Sequence, residues 1–111
     1  MPHLRFRGLP RETVKQISKP LVATLSPLVA SPADQFTLEF IPSEFVHQGQ
    51  VVGGYPIVEV LWLERPLEIQ DKVAEQITMA LRAQVGAAQD ICVMFTWLNG
   101  RQYYENGSHF G

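Results

Sequence analysis

The stretch YPIVEVLWLERP, residues 55–66, decides the fold. Its first nine residues predict a strand that is apolar on both faces, with Ile57, Leu61 and Leu63 on one side and Val58, Val60 and Trp62 on the other. A strand of this kind belongs at the buried centre of a sheet. Residues 64–66 then form a turn, and Pro66 stands where a helix begins, because the fixed φ and missing N–H of proline cost little there.

The sequence after this turn predicts a helix and then a second long strand. Apolar residues recur at spacings of three and four, namely Ile69, Val73, Ile77, Ala80, Leu81 and Val85. Gly86 is a plausible stop for that helix. Residues 91–97 alternate as a strand, and Asn99-Gly100 predicts a two-residue hairpin that returns at residues 102–104.

The first half of the chain has the same order of elements. Residues 2–7 predict a strand, Pro10 opens a helix, and residues 36–41 predict another strand. The helix stripe consists of Val14, Ile17, Leu21, Leu25, Leu28 and Val29. We expect a kink at Pro20 and a separate last turn opened by Pro27 and capped by Ser26. Residues 42–54 predict a loop, with a short strand around 44–47.

These patterns predict one α+β domain over residues 1–111, made of two β-α-β halves at about 2–54 and 55–111. Each crossover helix implies parallel strands within its half, which gives a four-stranded mixed sheet with both helices on one face. The other face carries four charged residues among apolar neighbours, namely Arg5, Arg7, Glu39 and Glu59. A half-apolar, uncovered sheet face predicts self-association.

Composition limits the function classes. The 111 residues are 46% hydrophobic, and the formal net charge is -2 with a pI of about 5.9. This balance argues against nucleic-acid partners and gives no polybasic signal for membranes. No apolar run reaches the roughly 20 residues of a membrane helix, and residues 1–7 lack a secretory signal. With Cys92 as the only cysteine, a cytoplasmic location is expected.

Most polar residues allow a structural interpretation beside a functional one. The histidines show no metal-ligand spacing, so no metal is expected, and Cys92 stands mid-strand without an evident activating base, which indicates a small buried hydrophobe rather than a nucleophile. The four charged sheet residues are expected to pair across strands at a subunit interface, or one arginine binds an acidic substrate. Tyr103 and Tyr104 could form a satellite core, an interface anchor or a pocket wall, and tyrosine is enriched at interfaces.

Pro2 offers the sharpest chemical hypothesis. Proline after the initiator methionine usually permits its removal, which would leave a secondary amine at a strand end. An α-amino group titrates near roughly 7.7–8.0, and an apolar pocket with nearby cations lowers that value. The neutral amine would then serve as a general base near neutral pH. Retained Met1 would make this nitrogen an amide and block that chemistry.

In its order of elements and its Met-Pro start, the chain resembles the tautomerase superfamily, above all its long branch, that of macrophage migration inhibitory factor. The resemblance covers the whole chain. It includes Pro10, the turn at residues 31–36, Ile41-Pro42, Gly53-Gly54 and residues 106–110. Residues 55–60 and 103–107 also look like a little-characterised subgroup of that superfamily.

The resemblance implies a trimeric barrel whose N-terminal proline moves a proton between carbon and oxygen of a 2-keto or enol carboxylate. The familiar polar groups of the pocket are replaced, since Ser31 stands near the family lysine, Cys92 near the tyrosine and Met94 near the asparagine. Arg65 falls where the family has an apolar residue and could supply the lost cation.

Two hypotheses follow from the residues and the resemblance together. The first is a cofactor-free homotrimeric tautomerase that acts on a small carboxylate, with Pro2 as the base after Met1 removal and Arg65 as the carboxylate binder. Trp62, Phe95 and Tyr103 would form its pocket walls. The second is a non-catalytic trimer of the same fold that binds a small molecule or a protein.

Overall fold

A computed structural model describes residues 1–111 and contains a four-stranded sheet in the order β2-β1-β5-β6. The sheet strands are β1 His3–Arg7, β2 Thr37–Phe40, β5 Ile57–Leu63 and β6 Cys92–Leu98. The helices are α1 Arg11–Val29 and α2 Leu67–Val85. Neither helix is both long and apolar enough to cross a membrane.

The pairing of the strands confirms the two β-α-β halves. β1 runs parallel to β2, β5 runs parallel to β6, and the halves meet where β1 and β5 run antiparallel. The halves also repeat a detail at the start of each first strand. The carbonyl of Pro2 accepts a 3.0 Å bond from Thr37 N–H, and the carbonyl of Pro56 accepts one of the same length from Cys92 N–H. Pro56 is therefore the counterpart of Pro2 in the second half.

The core lies between the sheet and both helices. Leu4 and Phe6 of β1 and Val58, Val60 and Trp62 of β5 are at most 1% exposed within it. The residues of the two helix stripes close the core from the other side, and the buried ones are Val14, Ile17, Leu21, Leu25, Val29, Val73, Ile77 and Leu81. The central position predicted for residues 55–63 is confirmed.

The opposite sheet face has no covering layer in the single chain. Ile57, Leu61 and Leu63 are half-buried there, so β5 is fully buried on one face only. The predicted charge pairs span neighbouring strands on this face. Arg5 and Glu39 lie 3.2 Å apart, and Arg7 and Glu59 lie 2.8 Å apart.

Helix α1 corrects the separate last turn predicted at Pro27. The helix is continuous from Arg11 to Val29 and includes both Pro20 and Pro27, so Pro27 does not open a separate turn. Both rings lie on the exposed side of the helix, where carbonyls left without an N–H partner remain accessible to water. Ser26 does not cap a helix start, because its hydroxyl donates a 2.5 Å bond forward to the Ser31 carbonyl.

Two connections also differ from the prediction. The loop 42–54 contains a complete hairpin, β3 Phe45–His47 with β4 Gln50–Val52. Asn99-Gly100 does not form a hairpin, because the Asn99 side chain accepts a bond from Arg101 N–H and starts a 3-10 helix over Gly100–Gln102. The hairpin turn is Asn106-Gly107, between β7 Tyr104–Glu105 and β8 Ser108–His109. Both turn residues have the positive φ that a type I′ turn requires.

Candidate functional site

The topology brings the predicted polar site residues to one edge of the sheet. Because β5 runs antiparallel to β1, it ends beside the start of β1, where Pro2 lies. β6 runs parallel to β5 and ends at the same edge, so the segment that contains Tyr103 follows there. Arg65 comes two residues after β5. Pro2, Arg65 and Tyr103, far apart in sequence, therefore belong to the same end of the molecule.

Pro2 is less than 2% exposed at the start of β1. Met1 precedes it, so the Pro2 nitrogen in this structure is an amide. The Met1 ammonium donates to the Gln35 carbonyl, and the Met1 side chain packs against the core cluster. Removal of Met1 would therefore both create the Pro2 amine and open the space beside it.

The chain terminus lies in a mixed electrostatic environment. Burial lowers the pKa of the Met1 amine below its ordinary value of 8.0 and is the largest influence on it. The Glu105 carboxylate acts in the opposite direction, whereas the Arg65 guanidinium lowers the pKa further. The two side chains therefore act on the same terminal amine with opposite signs.

Arg65 is held by groups of the turn and of the end of helix α1. Its Nη1 donates to the Leu63 carbonyl at 2.9 Å, and its Nη2 lies 3.5 Å from the Ser31 hydroxyl. The guanidinium carbon lies 5.7 Å from the Trp62 ring centroid. A guanidinium has five N–H donors, so this half-buried side chain retains donors for an anion.

Trp62 and Phe95 form an aromatic pair beneath Arg65. Their ring centroids are 5.1 Å apart in a stacked arrangement. Trp62 is fully buried in the core, and its indole Nε1 has no hydrogen-bond partner. Phe95 is half-buried. In the single chain these rings support the site from the core side.

Tyr103 makes polar contacts that the sequence did not indicate. Its hydroxyl lies 3.2 Å from His3 Nε2 and donates to Glu105 Oε2 at 3.2 Å. Burial, followed by the bond to Glu105, raises the Tyr103 pKa above 10.0. Alternation along β1 put His3 on the uncovered sheet face, but no local pattern could reveal a partner 100 residues away.

The surface of the single chain has no cavity lined by these residues. Five cavities or grooves are present, and none includes Pro2, Arg65 or Tyr103. One of about 350 Å³ lies between the helices and is lined in part by Pro20, Leu21 and Met79. No group of three or more histidine, cysteine, aspartate or glutamate residues is placed to hold a metal ion.

Sequence comparison gives the family. The profile of the family described as "Domain of unknown function (DUF1904)" matches residues 1–109. The chain belongs to this family. It is 34% identical to the DUF1904 protein of Sebaldella termitidis ATCC 33386, whose crystal structure superimposes with a TM-score of 0.92 over 99% of this chain and 100% of that one. No curated protein matches the chain.

Solved structures of lower identity confirm the tautomerase-superfamily fold. The macrophage migration inhibitory factor-like protein of Entamoeba histolytica is 18% identical to this DUF1904 chain, with a TM-score of 0.75 over 98% of each chain. A structure described as "F6 fused 4-OT wild type asymmetric trimer" is 14% identical, with a TM-score of 0.80 over 96% of this chain and 94% of that one. At these identities the likeness concerns the fold alone.

Proposed function

We propose that this DUF1904 protein is a cofactor-free keto-enol tautomerase for small 2-keto or enol carboxylates, with Pro2 as the general base once Met1 is removed. One observation carries the proposal. The start of β1, where Pro2 lies, shares a sheet edge with Arg65, whose charge acts on the Met1 amine one residue away. A general base and a carboxylate-binding cation are the two groups that this reaction needs.

The reaction balances with the proline as its only proton carrier. The neutral Pro2 nitrogen accepts a proton from the carbon next to the keto group, and the C–H electrons move to form the enolate. The resulting prolinium then donates that proton to the enolate oxygen. Substrate and product are isomers, so no oxidant or cofactor is required.

The environment of the terminus favours a neutral amine. Pro2 is more deeply buried than Met1, and burial disfavours the charged form of an amine. Arg65 acts in the same direction and would at the same time attract the substrate carboxylate. Met1 packs against the core, so its loss would leave room for a small substrate beside the N-terminus.

We also propose that the protein is a homotrimer. The uncovered sheet face supports this, because its strands carry half-buried Ile57, Leu61 and Leu63 beside two ion pairs. The trimeric state named for the fused 4-OT structure is consistent with this assembly. Since no cavity of the single chain contains Pro2, a neighbouring subunit would complete the wall of the site.

The experiment begins with the intact mass of untagged protein, for which we expect a chain without Met1. Conversion of arylpyruvates and 2-hydroxymuconate-type acids is then measured for the wild type and for Pro2→Ala. Pro2→Ala replaces the secondary amine by a primary amine without the rigid ring that positions it, and we expect kcat/KM to fall by about 100-fold or more, the usual contribution of a positioned base. Pro56→Ala is the matched control, because Pro56 has the same place in the second half but never carries an amine.

A second candidate function is a non-catalytic trimer that binds a small molecule or a protein. The absence of a cavity beside Pro2 in the single chain favours this alternative, as does the replacement of the family's pocket polar groups by Ser31, Cys92 and Met94. Met1 retained in the untagged protein, or equal rates for wild type and Pro2→Ala, would reject proline catalysis and leave the binding function.

A further inference from the structure

His3, Tyr103 and Glu105 form a hydrogen-bonded chain beside the N-terminus. Both links are 3.2 Å long, from His3 Nε2 to the Tyr103 hydroxyl and from that hydroxyl to Glu105 Oε2. His3 follows Pro2 directly in β1, whereas Tyr103 and Glu105 come from the C-terminal segment. These two hydrogen bonds therefore connect the strand next to the proposed base with a carboxylate from the other end of the sequence.

The direction of the hydrogen bonds follows from the number of protons available. A tyrosine hydroxyl has a single hydrogen, and a carboxylate can only accept. Because the Tyr103 hydrogen is directed to Glu105, the contact with His3 requires the histidine to donate from Nε2. Tyr103 thus bridges a donor and an acceptor, and the loss of its hydroxyl would release both ends of the chain.

The C-terminal segment fixes the position of Tyr103. Phe110 N–H donates to the Gly100 carbonyl at 2.8 Å and to the Tyr103 carbonyl at 3.2 Å. The rings of Tyr103 and Phe110 meet edge to face with centroids 4.8 Å apart. The last residues of the chain thereby hold the tyrosine against β1.

The charged groups around the hydrogen-bonded chain come from four places in the fold. Arg65, from the turn after β5, and Glu105 act on the terminal amine with opposite signs. Arg5 and Glu39, on β1 and β2, act on His3 together with the terminal ammonium and Glu105. Glu105 is the acidic side chain that acts on the amine directly, and Tyr103 fixes where its carboxylate lies.

We propose that His3 and Tyr103 are positioning residues that hold the Glu105 carboxylate near the N-terminal amine, where its charge counterbalances that of Arg65. The proposal rests on the proposed function, in which the base is the Pro2 amine, one residue further along the chain than the Met1 amine on which these charges act in this structure. A carboxylate at this place favours the charged amine, whereas Arg65 favours the neutral one. The hydrogen-bonded chain would thus set the pH at which the base becomes active.

The test measures how fast the N-terminal amine of the untagged full chain is acylated at a fixed pH below its pKa, since only neutral amine reacts. We expect Glu105→Gln and Tyr103→Phe each to raise the rate by about twofold or more, as loss of one nearby partly screened charge predicts. The double variant should match Glu105→Gln alone, because both changes remove the same charge effect.

Tyr104→Phe is the matched control for the phenol, because the Tyr104 hydroxyl bonds to Arg101 instead. Glu75→Gln is the control for net charge, because Glu75 lies on the exposed side of helix α2. Both control variants should acylate at the wild-type rate. A Tyr103→Phe rate equal to that of Tyr104→Phe, or an additive double variant, would overturn the positioning role.

The acylation assay needs no substrate, so the two proposals can fail separately. If the acylation rates change as expected but Pro2→Ala retains full turnover, the proposed function is contradicted and the charge balance stands. Unchanged acylation rates in a protein that requires Pro2 for turnover would contradict the positioning role alone.

Discussion

At the scale of single residues, Arg65 combines a structural contact with spare donors. It bonds the Leu63 carbonyl, yet its guanidinium also acts on the chain terminus. We expect Arg65→Ala to raise KM for carboxylate substrates about 10- to 100-fold with little change in kcat, because a hydrogen bond to a charged group contributes about 1.5–3 kcal/mol. Steady-state kinetics would check this, with Arg11→Ala as control. An unchanged KM would reject the role.

His3 is expected to make the stability of the fold depend on pH. Burial, then the terminal ammonium and Arg5, lower the His3 pKa below 6.5, so the fold favours the neutral imidazole. The unfolded chain binds more protons as the pH falls through 6.5, and stability is lost in that direction. Urea denaturation at pH 7.5 and 5.5 should show a lower free energy of unfolding at the lower pH. This difference should be smaller in His3→Gln and unchanged in His47→Gln. An equal loss in all three proteins would contradict the assignment.

At the scale of elements, the sequence predicted what local periodicity encodes. The alternation in β5 and the stripes of α1 and α2 indicated both halves, the strand directions and the shared helix face. The general cost of proline in a helix gave the wrong expectation at Pro27, because both prolines lie on the exposed side of α1, where carbonyls without an N–H partner remain accessible to water. Periodicity also could not choose between two Asn-Gly turns, a choice that depends on the hydrogen bond from Arg101 N–H to Asn99.

The candidate site was predictable only in part for the same reason. Pro2 and Arg65 stood out because each is a residue type with a distinct possible chemistry at the end of an element. The chain from His3 through Tyr103 to Glu105 depends on the tertiary contact that brings residue 103 back to β1. Trp62, read from sequence as a possible wall, lies wholly within the core because its side of β5 faces the helices.

The junction of β1 and β5 yields a prediction about stability. Gly8 ends β1 with a φ of +76°, and a Cβ there would lie 2.0 Å from the Tyr55 carbonyl oxygen. Gly8→Ala should lower the free energy of unfolding by about 2–4 kcal/mol, since strain and a backbone clash add. Gly107 has a similar φ, but a Cβ there would meet no neighbouring atom, so Gly107→Ala should lower the free energy of unfolding by only about 1 kcal/mol. Equal losses in urea denaturation would contradict the clash.

At the scale of the whole molecule, two β-α-β halves build a sheet with one face buried and one face open. The antiparallel meeting of β1 and β5 makes the halves counterparts, down to the carbonyls of Pro2 and Pro56. Under the proposed function, only Pro2 of the two counterpart prolines would carry an amine. The open face, by contrast, extends across both halves, so the proposed assembly would involve the entire sheet.

Assembly through this face is tested by a matched pair of methionine substitutions. Met94 is 45% exposed and pairs with Glu59 on the open face, whereas Met79 is 57% exposed on α2. Light scattering should give about three times the 12.5 kDa chain mass for the wild type and for Met79→Glu. Met94→Glu should shift the mass towards the monomer, because a buried carboxylate without a partner is costly. A monomeric wild type, or a trimeric Met94→Glu variant, would contradict assembly through the open face.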